Sequence, residues 1–234
     1  MKKIILSVIA IIILFFSIYI IFDLVPNISP STKLKGIDIS HHNEIENWSA
    51  LKKSIDFVYI KSTEGKSFTD PHFKMNWENA KKHNIIHGAY HFFSPKVSAK
   101  EQFLNFKKTV KLSPGDLPPV LDVERKKGDL LKQDLNIDMN EVNEWLRLVE
   151  EFYGVEPILY SDYITFKNFL DDEILKKRIW IYLPKGYFFK PSFNDYNCAF
   201  WQYSHEGKMD GIKDTVDLDF YFGDLSSLKK ILVK

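Results

Sequence analysis

Pro118-Pro119-Val120-Leu121-Asp122-Val123-Glu124 reads as a short buried strand that ends on two carboxylates. Residues two apart on a strand share a face, so Asp122 and Glu124 project together. An acid pair held this way can protonate a leaving oxygen while stabilising positive charge on a sugar ring.

Seven further runs have strand character: Lys35–Ser40, Asp56–Ser62, Ile85–Phe93, Ile158–Ser161, Ile179–Leu183, Ala199–Tyr203 and Val216–Tyr221. Helical patterns fall between the early ones. Trp48–Ser54 is short. Pro71–His83 has Asp70 as a candidate N-cap and Pro71 at the first helical position. Ser98–Val110 follows. Asp138–Tyr153 has Asp138 as cap, Glu141 three residues later, an apolar face of Val142, Trp145, Val149 and Phe152, and Gly154 as stop. Strand–helix alternation predicts a parallel sheet with helices outside. Eight strands, several too apolar to be half exposed, predict an α/β fold: an irregular TIM-like β/α barrel with about eight strands and fewer helices. The stretch from Ile181 to Tyr203 offers little amphipathic pattern, so some strands should be joined by loops.

The chain of 234 residues is 45% hydrophobic, enough for one sizeable domain of this kind. Its net charge of +1 excludes the basic excess of a nucleic-acid binder. Aromatics make up 15%, and they serve either as core or as stacking platforms for sugars. The single cysteine, Cys198, allows no intrachain disulfide and reads as a small buried hydrophobe.

Met1-Lys2-Lys3 precedes an uncharged apolar stretch from Ile4 to Phe22, about the length needed to cross a bilayer. It lacks a small-x-small cleavage site, which favours an uncleaved anchor over a cleaved signal. No Cys follows it, against a lipoprotein. Residues 1–22 are thus expected to be a single-pass transmembrane helix. Lys2 and Lys3 would be cytoplasmic and the rest extracytoplasmic, or secreted if the segment is cleaved. Residues 23–33, with Pro26 and Pro30, read as a linker, and residues 34–234 as the barrel domain.

Barrels of this kind carry their sites at the C-terminal strand ends. Asp38 lies in the first strand, Glu64 follows the second, Asp122 and Glu124 close the fourth, and Asp217 and Asp219 lie in the last. First and last strands of a closed barrel are neighbours, so Asp38 and Asp217 should converge. Tyr90, His91, Tyr160, Trp180, Tyr182, Trp201 and Tyr203 occupy equivalent positions. An acidic floor with aromatic walls suits a carbohydrate, and crowded carboxylates keep one of their number protonated near neutral pH. Any one of these acids could equally be a helix cap or half of an ion pair.

Several segments, in order, carry a family resemblance: Gly36–Ser40, Phe57–Gly65, Gly88–Phe93, Pro119–Glu124, Trp201–Ser204 and Val216–Phe220. Together they resemble the family-25 glycoside hydrolases, the Chalaropsis-type lysozymes or N-acetylmuramidases. The resemblance implies an irregular barrel acting on peptidoglycan at the β-1,4 bond between N-acetylmuramic acid and N-acetylglucosamine. It implies Glu124 as general acid, with Asp122 beside it orienting the acetamido group or stabilising charge, and Asp38 and Asp217 completing the cluster. Tyr59, Glu64, Tyr90 and Trp201 would shape or line the groove, and Tyr160 is a further candidate substrate contact. No cofactor or metal is implied, and a monomer is expected. Three departures stand out. The turn after Asp38 reads Ser40-His41-His42-Asn43-Glu44, the segment after Ile181 fits loosely, and Asp219 stands where Asn is common.

Two rivals remain at this stage. His41, His42, His91, Asp38 and Asp122 are ligand types for a metal-dependent hydrolase, without HxH or HExxH spacing. A non-catalytic wall-binding module would keep the groove and lose turnover.

Overall fold

Two hydrophobic clusters divide the strands by parity. One joins Phe57, Tyr59, Val120, Ile158, Tyr160, Trp180, Phe200 and Tyr221. The other takes the residues between them, such as Val58, Leu121, Leu159, Ile179 and Trp201, together with helix residues such as Phe106 and Trp145. This is the two-residue period of a strand buried on both faces. In this computed structural model, which describes residues 33–124, 137–168, 173–185 and 196–234, the first cluster is the inside of a barrel. Tyr59 lies 5.0 Å from Trp180 and 5.8 Å from Phe200, ring centre to ring centre, although their strands are not neighbours in the sheet.

The strands are β1 (Leu34–Ile39), β2 (Phe57–Glu64), β3 (Phe68–Thr69), β4 (Ile86–Phe92), β5 (Val120–Asp122), β6 (Ile158–Asp162), β7 (Arg178–Tyr182), β8 (Cys198–Gly207) and β9 (Val216–Tyr221). Their order is β1-β9-β8-β7-β6-β5-β4-β2, and pairing of β1 with β2 closes an eight-stranded ring. β3 is a two-residue flap hairpinned on the end of β2. Six pairings are parallel, from β1–β2 round to β7–β8. β9 is antiparallel to both its neighbours, which corrects the expectation of a wholly parallel sheet. The cause is the connection: residues 208–215 are too few for a crossover, which needs a dozen or more.

Helices α1 (Trp48–Leu51), α2 (Phe73–Lys82), α3 (Ala99–Thr109), α4 (Met139–Tyr153), α5 (Tyr163–Asn168) and α6 (Leu225–Ile231) accompany the ring. Ser98 caps α3 by accepting from Glu101 N, and Asp138 caps α4 by accepting from Asn140 N. Gly154 ends α4 at φ 67°, a left-handed position that suits glycine. Glu141 does not reach back to its own cap. Its carboxylate accepts from Ala99 N, so it binds the start of α3 and staples the two helices. Phe152 is 46% exposed and lies off the buried stripe, where Leu146 takes its place. Asp70 is not the cap of α2, which starts at Phe73. Its carboxylate accepts from His72 N, His41 N and the His41 ring instead.

Leu34–Lys234 forms one compact unit. The expected transmembrane segment and the linker through Thr32 lie outside the described residues, as do residues 186–195 of the stretch between Ile181 and Tyr203. Among the described residues no helix is long and apolar enough to cross a membrane.

Candidate active site

One pleat above the aromatic floor the inward positions turn polar. Tyr59 gives way to Lys61 on β2, Val120 to Asp122 on β5 and then to Glu124 just beyond it, Trp180 to Tyr182 on β7, and Phe200 to Gln202 on β8. On β9 the sequence runs the other way, because the strand is reversed. Asp217, near its start, faces Asp38 directly across the β1–β9 pair. In a parallel β9 it would have been carried to the opposite end. Gly36, opposite Asp219, leaves room that Phe57 fills: a Cβ there would come within 2.2 Å of the ring.

A hydrogen-bonded chain crosses the mouth. Gln202 Nε2 donates to Asp38 Oδ2 at 2.8 Å, and Tyr160 Oη donates to Gln202 Oε1 at 2.6 Å. Glu124 Oε2 lies 3.3 Å from the same Tyr160 oxygen. Tyr160 has one hydroxyl proton, which Gln202 Oε1 and Glu124 Oε2 share, the shorter bond going to Gln202. Lys61 Nζ pairs with Glu64 Oε2 at 3.0 Å and sits 4.8 Å from the centre of the Phe92 ring. Asp122 Oδ1 is buried with no donor among the described residues.

Burial and mutual repulsion set the proton affinities. Glu124 is pushed up to about 7, first by burial and then by Asp162, against a lowering contribution from Tyr160. Burial raises Asp38, and Asp217, Asp219 and Asp122 add to the rise. Burial and Glu124 raise Asp122, while Lys61 opposes. Tyr90 and Tyr160 are held neutral by burial and by the same carboxylates. A carboxyl that stays protonated near neutrality, facing other carboxyls across a groove, is equipped for general acid catalysis.

The structure thus brings together Asp38, Asp122, Glu124, Asp217, Glu64, Tyr90 and Tyr160. Two expected groove residues are elsewhere. Tyr59 is wholly buried one pleat below Lys61, and its hydroxyl donates to Pro118 O at 3.2 Å, before β5 begins. Trp201 faces outward. Its indole donates to Leu183 O at 2.7 Å and stacks on Phe222, because strand parity gives the inward place to Gln202. His91 also faces outward, between Thr63 Oγ1 and Gln102 Oε1, and burial lowers it to about 4. His41 is tied to Asp70 at 2.7 Å. Among the described residues no three His, Cys, Asp or Glu side chains are arranged to hold a metal ion. Sequence reasoning missed Gln202, Lys61 and Asp162. Parity counted from Phe57, Tyr160 and Phe200 would have found each.

This arrangement is that of a glycoside hydrolase. The chain belongs to the glycosyl hydrolases family 25, whose profile matches residues 37–212. It is similar to the uncharacterized protein YegX of Escherichia coli K12, at 35% identity over 86% of this chain and 74% of that one. It is also similar to lysozyme M1 of Streptomyces globisporus, at 27% identity over 83% of this chain and 70% of the relative. A family 25 glycosyl hydrolase structure from Bacillus anthracis superposes with a TM-score of 0.77 at 30% identity, covering 87% of this chain and 95% of that one.

Proposed function

We propose that this protein is a peptidoglycan hydrolase that cuts the β-1,4 bond between N-acetylmuramic acid and N-acetylglucosamine. The observation that carries the reading is Glu124. It is held protonated up to about pH 7 at the barrel mouth, beside Asp122 and across from Asp38 and Asp217. In this reading Glu124 gives its proton to the glycosidic oxygen as the bond from that oxygen to the sugar carbon breaks. Asp122 orients the acetamido group or stabilises the positive charge left on the ring. Glu64, Tyr90 and Tyr160 line the groove. The names of relatives such as lysozyme M1 support the substrate.

The uncharged run Ile4–Phe22 behind Lys2 and Lys3 supports a membrane address. Residues 1–22 would anchor the protein and residues 23–33 form a stalk. Residues 34–234 would be the catalytic barrel, a monomer on the extracytoplasmic side within reach of the wall.

The test is digestion of purified peptidoglycan in the presence of a chelator, followed by reduction and mass analysis. New reducing ends on muramic acid are expected. Reducing ends on glucosamine would overturn the bond assignment. Loss of activity to the chelator would revive the metal-dependent rival. Wall binding without products would revive the binding module.

A further inference from the structure

Asp219 is the carboxyl at the mouth that the reading above leaves without a task. It is fully buried at the middle of β9, opposite Gln202 on one side and Gly36 on the other. Its Oδ1 accepts from Trp180 Nε1 at 3.2 Å. Its Oδ2 has no donor among the described residues, and the other side chain that hydrogen-bonds with Asp219 is the Asp38 carboxyl. Two carboxylates cannot hydrogen bond to each other, because each only accepts. A proton between them turns the repulsion into a bond and satisfies the orphaned oxygen.

We propose that Asp38 and Asp219 share one proton, that it resides on Asp219, and that Asp219 is a positioning residue donating from Oδ2 to an ionised Asp38.

The choice of owner follows from depth and donors. Asp38 keeps a partly open edge towards the groove, whereas Asp219 has none. The deeper group loses more solvation on ionising. Asp38 also receives the shorter of the two neutral bonds, 2.8 Å from Gln202 against 3.2 Å to Asp219 from Trp180. Among the described residues the charge acting on Asp219 is Asp217 on its own strand, which raises it, while the Asp38 carboxyl on β1 acts on it as a hydrogen-bond partner. Tyr59 on β2 and Tyr203 on β8 are within electrostatic reach of it, and burial raises both phenols, so they stay neutral. Among the described residues no cation acts on it. Asp38 is thereby gripped by two donors, Gln202 and Asp219, with its charge directed at the groove.

The role in turnover rests on the glycosidase reading; the location of the proton does not. An asparagine at 219 reproduces both bonds without a proton, since its oxygen can accept from Trp180 and its amide can donate to Asp38. Infrared difference spectra of the whole protein at pH 8, where Glu124 has largely ionised, should show a carboxylic-acid C=O band. That band should be missing from Asp219→Asn and present in Asp38→Asn. A band lost in Asp38→Asn and kept in Asp219→Asn would overturn the assignment, as would the absence of any such band in the wild type. In peptidoglycan digestion, Asp219→Asn should stay within about fivefold of wild-type kcat/KM, whereas Asp219→Leu, which offers no donor, should lose roughly 100-fold and shift the acidic limb of the pH profile upward. If Asp219→Asn folds but loses as much as Asp219→Leu, Asp219 acts as a charge and the proposal fails. A protein that cut no glycan at all would still report the proton through the infrared band.

Discussion

The floor and the mouth of this barrel are built from the same strands, about 6–7 Å apart along them. On the floor, Phe57, Tyr59, Trp180, Phe200 and Tyr221 pack ring against ring. At the mouth, Asp38, Asp122, Glu124 and Asp217 crowd together, with Lys61 a cation that acts on both Asp122 and Glu124. The floor has every reason to stay folded, and the mouth, taken alone, has reasons not to. The difference shows how a site can hold like charges in proximity: dry, interlocked rings below leave the strands no freedom to move the acids apart.

The largest effect should come from the mouth. Glu124→Gln keeps shape and hydrogen bonding but cannot deliver a proton, so glycan cleavage should fall by about 10³–10⁴-fold while the fold persists. Release of reducing ends, read beside circular dichroism, checks this. Near-wild-type cleavage by a folded variant would remove Glu124 from the role of acid.

The floor should answer in stability instead. Phe200 is fully buried against Phe57, Tyr59, Trp180 and Tyr221. Phe200→Ala should cost about 3–5 kcal/mol in denaturant unfolding, since little around it can collapse into the space. A cost below about 1 kcal/mol would mean that the floor is not the rigid base described.

The strain of the mouth should itself be measurable. Glu124 rises from an ordinary 4.5 to about 7 in the folded protein. Between those values the folded protein holds a proton that the unfolded chain has released. Stability therefore falls as pH rises through that window, and the loss is complete above it. Glu124→Gln removes this contribution. The variant should match wild type near pH 4 and exceed it at pH 8 by no more than about 3 kcal/mol, less what water at the mouth screens. Paired denaturant curves at the two pH values decide it. A variant no more stable than wild type at pH 8 would show that Glu124 is not destabilised by its surroundings.

Most of this architecture could be read from residue patterns. The eight strand runs, the caps Ser98 and Asp138 and the stop at Gly154 follow from local chemistry that tertiary context did not override. The convergence of Asp38 with Asp217 was also expected, though the reversal of β9 that produces it was not. The length of residues 208–215 held that information. Parity was harder. A strand buried on both faces shows no apolar alternation, so Trp201 and Tyr59 look as eligible for a groove as Gln202 does. Only the polar residues of neighbouring strands reveal which face is inward, and aromatic character drew attention from them. Glu141 illustrates a different limit. Its spacing suits a capping box, but which N–H it binds depends on where α3 lies.

The smallest effect tests the line between the two regions. Tyr59 has a hydroxyl, and by sequence it belongs with the groove; by position it belongs to the floor, with that hydroxyl spent on Pro118 O. Tyr59→Phe removes one buried hydrogen bond and leaves an acceptor unsatisfied, so it should cost about 1 kcal/mol of stability. Activity should hardly change, because the ring remains and no substrate reaches it. A change in KM beyond a few-fold, with stability intact, would place Tyr59 in the groove and move the boundary between floor and mouth down by one pleat.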